Sequence, residues 1–176
     1  FIRNNNINLK GKLKVKNRPL IHIIDGSFLI IGDNVTLNSK NDLHHVNMFA
    51  PIKIYLDKVG AKIEIGNNTR IHASCLHAYE AIEIGDNCLI AANCQIFDGS
   101  GHDTLLEKPS KRISSHGIIK PIKIGNNCWI GTSAIILPGT ILGNNCIVAA
   151  GSVVNGIFED NTLIGGNPAK FIKSIK

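Results

Sequence analysis

Ile124-Gly-Asn-Asn-Cys-Trp129, Ile130-Gly-Thr-Ser-Ala-Ile135, Ile136-Leu-Pro-Gly-Thr-Ile141, Leu142-Gly-Asn-Asn-Cys-Ile147, Val148-Ala-Ala-Gly-Ser-Val153: the stretch repeats in sixes. An aliphatic residue opens every unit, and the position four later is compact: Cys128, Ala134, Thr140, Cys146, Ser152. An α-helix repeats its apolar face every 3.6 residues and a strand every 2, so neither accounts for a period of six. One short strand plus one tight turn does. Three such sides close a triangular coil of about 18 residues, and coils stack at the inter-strand spacing of about 4.8 Å. The opening aliphatic points into the prism, and the fourth residue after it stays small because the corner leaves little room. The Gly125-Asn126-Asn127 and Gly143-Asn144-Asn145 runs suit corners that need unusual backbone angles. The fold class that follows is all-β: a parallel β-helix, one domain in 176 residues.

Composition agrees with a narrow prism. The chain is 44% apolar but only 5% aromatic, the balance of a core filled by Ile, Leu and Val. Its net charge of +6 fits either attraction to anionic ligands or a generally Lys-rich surface. No apolar run is long enough for a spanning helix and no secretory signal is visible, so the expected location is cytoplasmic. The alternating Gly-Lys-Leu-Lys-Val-Lys run at 11–16 reads as a solvated strand face. It has no interleaved aromatics to stack bases, so nucleic acid is not an expected partner. The five cysteines invite disulfide, metal or nucleophile readings. Each of Cys75, Cys88, Cys94, Cys128 and Cys146 lies four after an aliphatic of the repeat, which predicts five buried, inert thiols.

Taken in order, residues 1–24 read as an irregular polar cap, beginning around Asn4-Asn5-Asn6. The β-helix is expected over 25–164. Its repeat blurs between Asn38 and Lys58, where His44 and His45 sit in what reads as a surface loop, with acceptor binding as a second possibility. The register slips by one near Tyr79-Glu80 and stops after Ile96. From Ile96 to Ile124 is 28 residues, so about ten are extruded as a polar loop over roughly 98–120 that holds Lys108, Pro109, Lys111, Arg112 and His116. An excursion of that kind in a regular array is where binding chemistry usually sits. Residues 165–176 form a Gly-Asn-Pro-Ala-Lys segment and a basic tail ending at Lys176.

The run Ile96-Phe-Asp-Gly-Ser-Gly-His-Asp103, the extruded loop, and the series Cys128-Trp-Ile-Gly131, Val148-Ala-Ala-Gly-Ser-Val153 and Gly165-Gly-Asn-Pro-Ala-Lys170 together resemble the sugar O-acetyltransferases of the hexapeptide-repeat family. Galactoside, maltose, capsule and O-antigen acetyltransferases are its familiar members. The similarity covers roughly residues 60 to 173, with Gly-Asn-Pro-Ala-Lys its strongest piece. The resemblance implies a left-handed β-helix, a homotrimer with active sites between subunits, and acetyl-CoA as co-substrate. The Gly-His-Asp context differs from the family's Thr-His-Pro, and the region before 60 lacks the family's helical start. Both differences leave the acceptor sugar open.

Family residues carried onto this chain place the general base at His102, which would take the proton of a sugar hydroxyl as its oxygen attacks the thioester in a ternary complex. Asp98 or Asp103 would orient the imidazole. The resemblance puts the pantetheine beside Gly131, Thr132, Ala149 and Ala150, with Asn155 further along. Lys170 and Lys173 lie at the positions that face the phosphates. Trp129 has no inward place in the register, so it flanks the groove or a subunit interface. Ser74, His77 and Asn93 are the expected acceptor-side residues, with His72 on the same outer wall. Three other readings stay open: an amino-sugar N-acyltransferase, a scaffold without catalysis, and a γ-carbonic-anhydrase-like enzyme in which His72, His77 and His102 would hold zinc. A metal is not expected.

Overall fold

The computed structural model describes residues 6–42, 44–104 and 109–175. Three sheets run the length of a prism. Face A stacks Ile7–Leu9, Phe28–Ile31, Lys62–Ile65, Ala81–Ile84, Ile122–Ile124, Ile141–Leu142 and Ile157–Phe158. Face B stacks Leu13–Lys16, Val35–Asn38, Arg70–His72, Leu89–Ile90, Trp129–Ile130, Ile147–Val148, Thr162–Gly166 and Ala169–Ser174. Face C stacks Leu20–Ile23, Lys53–Leu56, Cys75–Ala78, Gln95–Phe97, Ile135–Ile136 and Val153–Val154. All pairings between coils are parallel, apart from the last strand of face B. The repeat positions align in space as their spacing predicts: Ile71, Ile90, Ile130, Val148 and Ile164 stack on face B, buried to 1% exposure or less.

The corners between faces A and B explain the Asn pairs. The second Asn of each pair, not the Gly, takes the left-handed conformation: φ is 57° at Asn127 and 58° at Asn145. Their side chains form a ladder from coil to coil, Asn127 Nδ2 donating to Asn145 Oδ1 at 3.1 Å and Asn145 Nδ2 to Asn161 Oδ1 at 2.8 Å. Gly125 is required by proximity: a Cβ there would lie 2.6 Å from the carbonyl carbon of Gly143 in the next coil.

Three expectations need correction. Residues 7–23 are not irregular: they form a full coil, with Leu13–Lys16 paired to Val35–Asn38 and Leu20–Ile23 to Lys53–Leu56. The Lys-aliphatic alternation is that of an end coil stacked on one side only. The C-terminal stretch is not a loose tail either, since Ala169–Ser174 folds back antiparallel on Thr162–Gly166. Finally, Cys75 is half-buried while Ser74 takes the inward slot at 2% exposure. Register explains this. Ile71 pairs with Ile90 and Leu76 with Ile96, so this side is one residue shorter than the next, and the following corner is longer. Counting four from Ile71 therefore overshoots. The other four cysteines occupy inward slots, and burial pushes the Cys94 thiol up to about 11. The expectations about Asn4, Asn5, Lys108 and Lys176 fall outside the described residues. Among the described residues no helix is long and apolar enough to cross a membrane.

Candidate functional site

Two regions carry chemistry, on different edges of the prism. The first is a groove of about 500 Å³ along face B and its corner with face C. Its floor is an outward row in register, Arg70, Leu89, Trp129 and Ile147, each beside an inward aliphatic, and the row runs on past the groove to Leu163. Trp129 is half exposed on this row. Gly131, Thr132, Ala149 and Ala150 line the adjoining corner. A Cβ on Gly131 would stand 2.6 Å from Ala150 N, so the coils stay close there only without a side chain. The Thr132 hydroxyl is used within the fold, donating to Ala92 O at 2.7 Å. The row continues onto the final strand, where Lys173 pairs with Leu163 and Lys170 with Gly165, both lysines exposed. The expected cofactor residues thus share one face, except Asn155. That residue is exposed just past Val153–Val154, at the corner between faces C and A, away from the groove.

The second region is the excursion between Gln95–Phe97 and Ile122–Ile124, which also leaves from the C–A corner. Its stem is a short antiparallel ladder: Ser100 N donates to Ile118 O, Gly117 N to Ser100 O and Lys120 N to Asp98 O. Pro109–Ser114 forms a 3₁₀ turn near its tip. His102 is exposed there, with Nδ1 2.6 Å from Arg112 O. A carbonyl oxygen only accepts, so Nδ1 carries the hydrogen, and the neutral ring keeps its lone pair on Nε2. The second nitrogen is therefore set up as a base.

Asp98 does something different from what the sequence suggests. Asp98 is fully buried, and its oxygens accept three backbone N–H groups: Tyr79 at 2.7 Å, Glu80 at 2.8 Å and Ala81 at 2.7 Å. These amides belong to the lengthened corner after Leu76, which leaves them without neighbours in the repeat. Asp98 thus fixes the root of the loop and does not touch the imidazole. Asp103 donates its N–H to Ser115 Oγ at 3.3 Å, while the orienting acceptor for His102 is the Arg112 carbonyl.

The expected acceptor-side residues scatter. Ser74 points inward, donating to His72 O and Ala91 O, both at 2.8 Å, and accepting from Cys94 N at 3.0 Å; no ligand on the outer wall reaches it. Asn93, at φ 65°, holds the inserted segment of 39–52: it accepts from Phe49 N at 3.1 Å and donates to Asn47 O at 2.8 Å. His77 lies on face C, 3.1 Å from Asp57 Oδ1, edge-on to Tyr55 and tilted against Tyr79, not in the groove. His72, His77 and His102 stand on different faces of one chain, so one chain does not assemble the three-histidine arrangement.

The inserted segment adds groove residues that the sequence left as loop or unmarked. His44 Nε2 lies 3.1 Å from His72 Nδ1, and His45 stacks on His44 with centroids 4.6 Å apart. Burial, followed by the charges of His44, Arg70, Lys16 and His45, lowers His72 to about 4 and keeps it neutral. Arg70 was missed although the signal was present: it precedes Ile71 as Trp129 precedes Ile130, so the register puts both on the outer row.

Residues 121–156 match the bacterial transferase hexapeptide model (six repeats), and 62–97 match the hexapeptide repeat of succinyl-transferase. The galactoside O-acetyltransferase of Escherichia coli is 35% identical over 118 residues, covering 66% of this chain and 56% of that protein. A maltose O-acetyltransferase from Clostridium difficile superposes with a TM-score of 0.58 at 33% identity, over 71% of this chain and 67% of that one. A hexapeptide-repeat acetyltransferase of Vibrio cholerae, complexed with acetyl coenzyme A, superposes at 0.62 with 33% identity, over 70% and 65% of the two chains. The chain spans about half the length of the first curated relatives it matches, 52%, 55% and 58%.

Proposed function

Because this chain belongs to the hexapeptide-repeat acetyltransferase family, whose left-handed parallel β-helix it shares, we propose that it transfers an acetyl group from acetyl-CoA to a sugar hydroxyl. The observation that carries this reading is the tautomer of His102. With Nδ1–H donated to Arg112 O, Nε2 is the proton acceptor that a hydroxyl nucleophile needs. In the reaction, Nε2 takes the hydroxyl proton as the sugar oxygen bonds to the thioester carbonyl carbon. The tetrahedral adduct then collapses, the carbon–sulfur bond breaks, and the imidazolium returns its proton to the departing thiolate. Transfer is direct. The buried, raised thiol of Cys94 is a poor nucleophile and supports a route without an acyl-cysteine.

The face-B groove holds the acetyl-CoA. Its pantetheine lies against Trp129, Gly131, Thr132, Ala149 and Ala150, and Lys170 and Lys173 meet the phosphates at the C-terminal end. The base and the groove occupy different corners of one prism, so a complete site takes His102 from one chain and the groove from another. Closed threefold symmetry supplies three such sites. The maltose and galactoside O-acetyltransferases among the relatives support a sugar acceptor. Calorimetric titration of acetyl-CoA tests the cofactor half, with saturation near one per chain expected. An acetylation screen over sugars with a His102→Ala control tests the rest. Absence of binding at millimolar acetyl-CoA, or full activity in the His102 variant, overturns the proposal.

A further inference from the structure

The groove is bipolar. Its middle is apolar, with Leu89, Trp129 and Ile147. Lys170 and Lys173 lie beyond one end, and Arg70, His44, His45 and His72 close the other. If the lysines take the phosphates, the acetyl group points toward the histidine end, and the acceptor must sit there. Resting on the transferase reading above, we propose that this end is the acceptor subsite and that it selects a sugar bearing an anionic group, a carboxylate or a phosphate, held by Arg70 and the His44–His72 pair.

The subsite is built by the insertion of 39–52, and it is pinned in place. Ser39 Oγ accepts from Ile52 N, Asn41 Oδ1 from Met48 N, and Asn93 clasps the 47–49 backbone. Met48 is buried against Ala73 and Ala92. The hydrogen bonds then settle what the wall offers. Asn38 Oδ1 accepts from Lys40 N at 3.0 Å, which fixes the amide orientation and leaves Nδ2 3.2 Å from His72 Nδ1. An amide nitrogen only donates, so His72 Nδ1 accepts from Asn38 and the proton of the neutral His72 ring is on Nε2, with His44 Nε2 3.1 Å from Nδ1. The low basicity of His72 comes first from burial and then from the positive charge around it. Among the described residues lining the groove there is no carboxylate. A wall of guanidinium and imidazole N–H groups, with no acidic side chain, suits an anion; a neutral sugar would also need acceptors for its own hydroxyls.

The test is direct binding, which does not depend on turnover. Galactose, galacturonate and galactose 6-phosphate are titrated by ligand-observed NMR into the full chain saturated with CoA, and into Arg70→Met and His44→Gln. At least one charged sugar is expected to bind about tenfold or more tighter than galactose, and comparison of the two charged ligands identifies carboxylate or phosphate. Arg70→Met, an exposed position that keeps the aliphatic stem, is expected to erase the preference, with CoA affinity unchanged within about twofold. His44→Gln is expected to weaken the charged ligand alone. Equal binding of all three sugars overturns the inference. So does a tenfold loss of CoA affinity in Arg70→Met, which would mean that this end holds the cofactor phosphates. Failure of the transferase reading shows separately, as absence of acetyl-CoA binding to the unaltered protein.

Discussion

The face-B groove and the 98–120 loop solve opposite problems. The groove is made of the repeat itself: its floor residues are register positions, its width follows from Gly131 and two alanines, and four successive coils back it. The loop is made by breaking the repeat, and a break exposes backbone that no neighbouring coil satisfies. Asp98 meets that need, filling the root with a buried carboxylate that accepts three amides, while the Arg112 carbonyl sets the His102 ring. The general lesson is that binding surface comes from regularity, and a base comes from a controlled departure from it. A carboxylate four residues from a histidine in sequence, as Asp98 is from His102, need not bond to it in space.

Substitutions that hit only one of the two regions sharpen the contrast. The largest effect is expected for His102→Ala, with kcat lower by about 10²–10⁴-fold and acetyl-CoA affinity by calorimetry unchanged. Loss of cofactor binding in that variant would merge the two regions. Ala150→Trp, at an exposed groove position, is expected to weaken acetyl-CoA by about tenfold or more through steric filling, with an unaltered melting temperature. Asp98→Asn places an amide NH₂ against backbone donors and is expected to cost about 1–3 kcal/mol of stability, seen as a lower melting temperature. If instead stability holds and kcat falls, Asp98 acts on the imidazole after all.

The smallest effect is a pH dependence belonging to the groove. His72 is neutral in the folded state down to about 4, whereas in the unfolded chain it binds a proton below its usual 6.5. The unfolded state therefore gains protons first, and stability falls as pH drops from 6.5 toward 4. His72→Gln is expected to show a shallower decline of melting temperature across that window. An identical slope would show that His72 is not held neutral by its surroundings.

Much of this was legible in the sequence because period six converts position directly into direction. It predicted five cysteines inside, of which four are, and put Trp129 outside; the residues carried over from the family for the cofactor, apart from Asn155, share one face. The losses have local causes. One side shortened at 71–76 and one corner lengthened at 79–81 cancel almost fully in the count, which hid the exchange of Cys75 for Ser74. The first coil escaped because an end coil has a neighbour on one side only, so its strands keep polar residues that mimic a loop. The histidine pair escaped because it joins residues 28 apart through an insertion with no repeat to place it.

The central claim is that one site needs two chains, and mixing defects tests it. His102→Ala and Ala150→Trp chains, each with little activity alone, are co-expressed and the doubly tagged mixed assemblies purified. In every mixed threefold assembly, about one interface in three combines an intact base with an intact groove, so the account predicts recovery to about a third of the unaltered activity. If each site lies within one chain, every chain carries one defect, and mixed assemblies that stay as inactive as their parents would contradict the account.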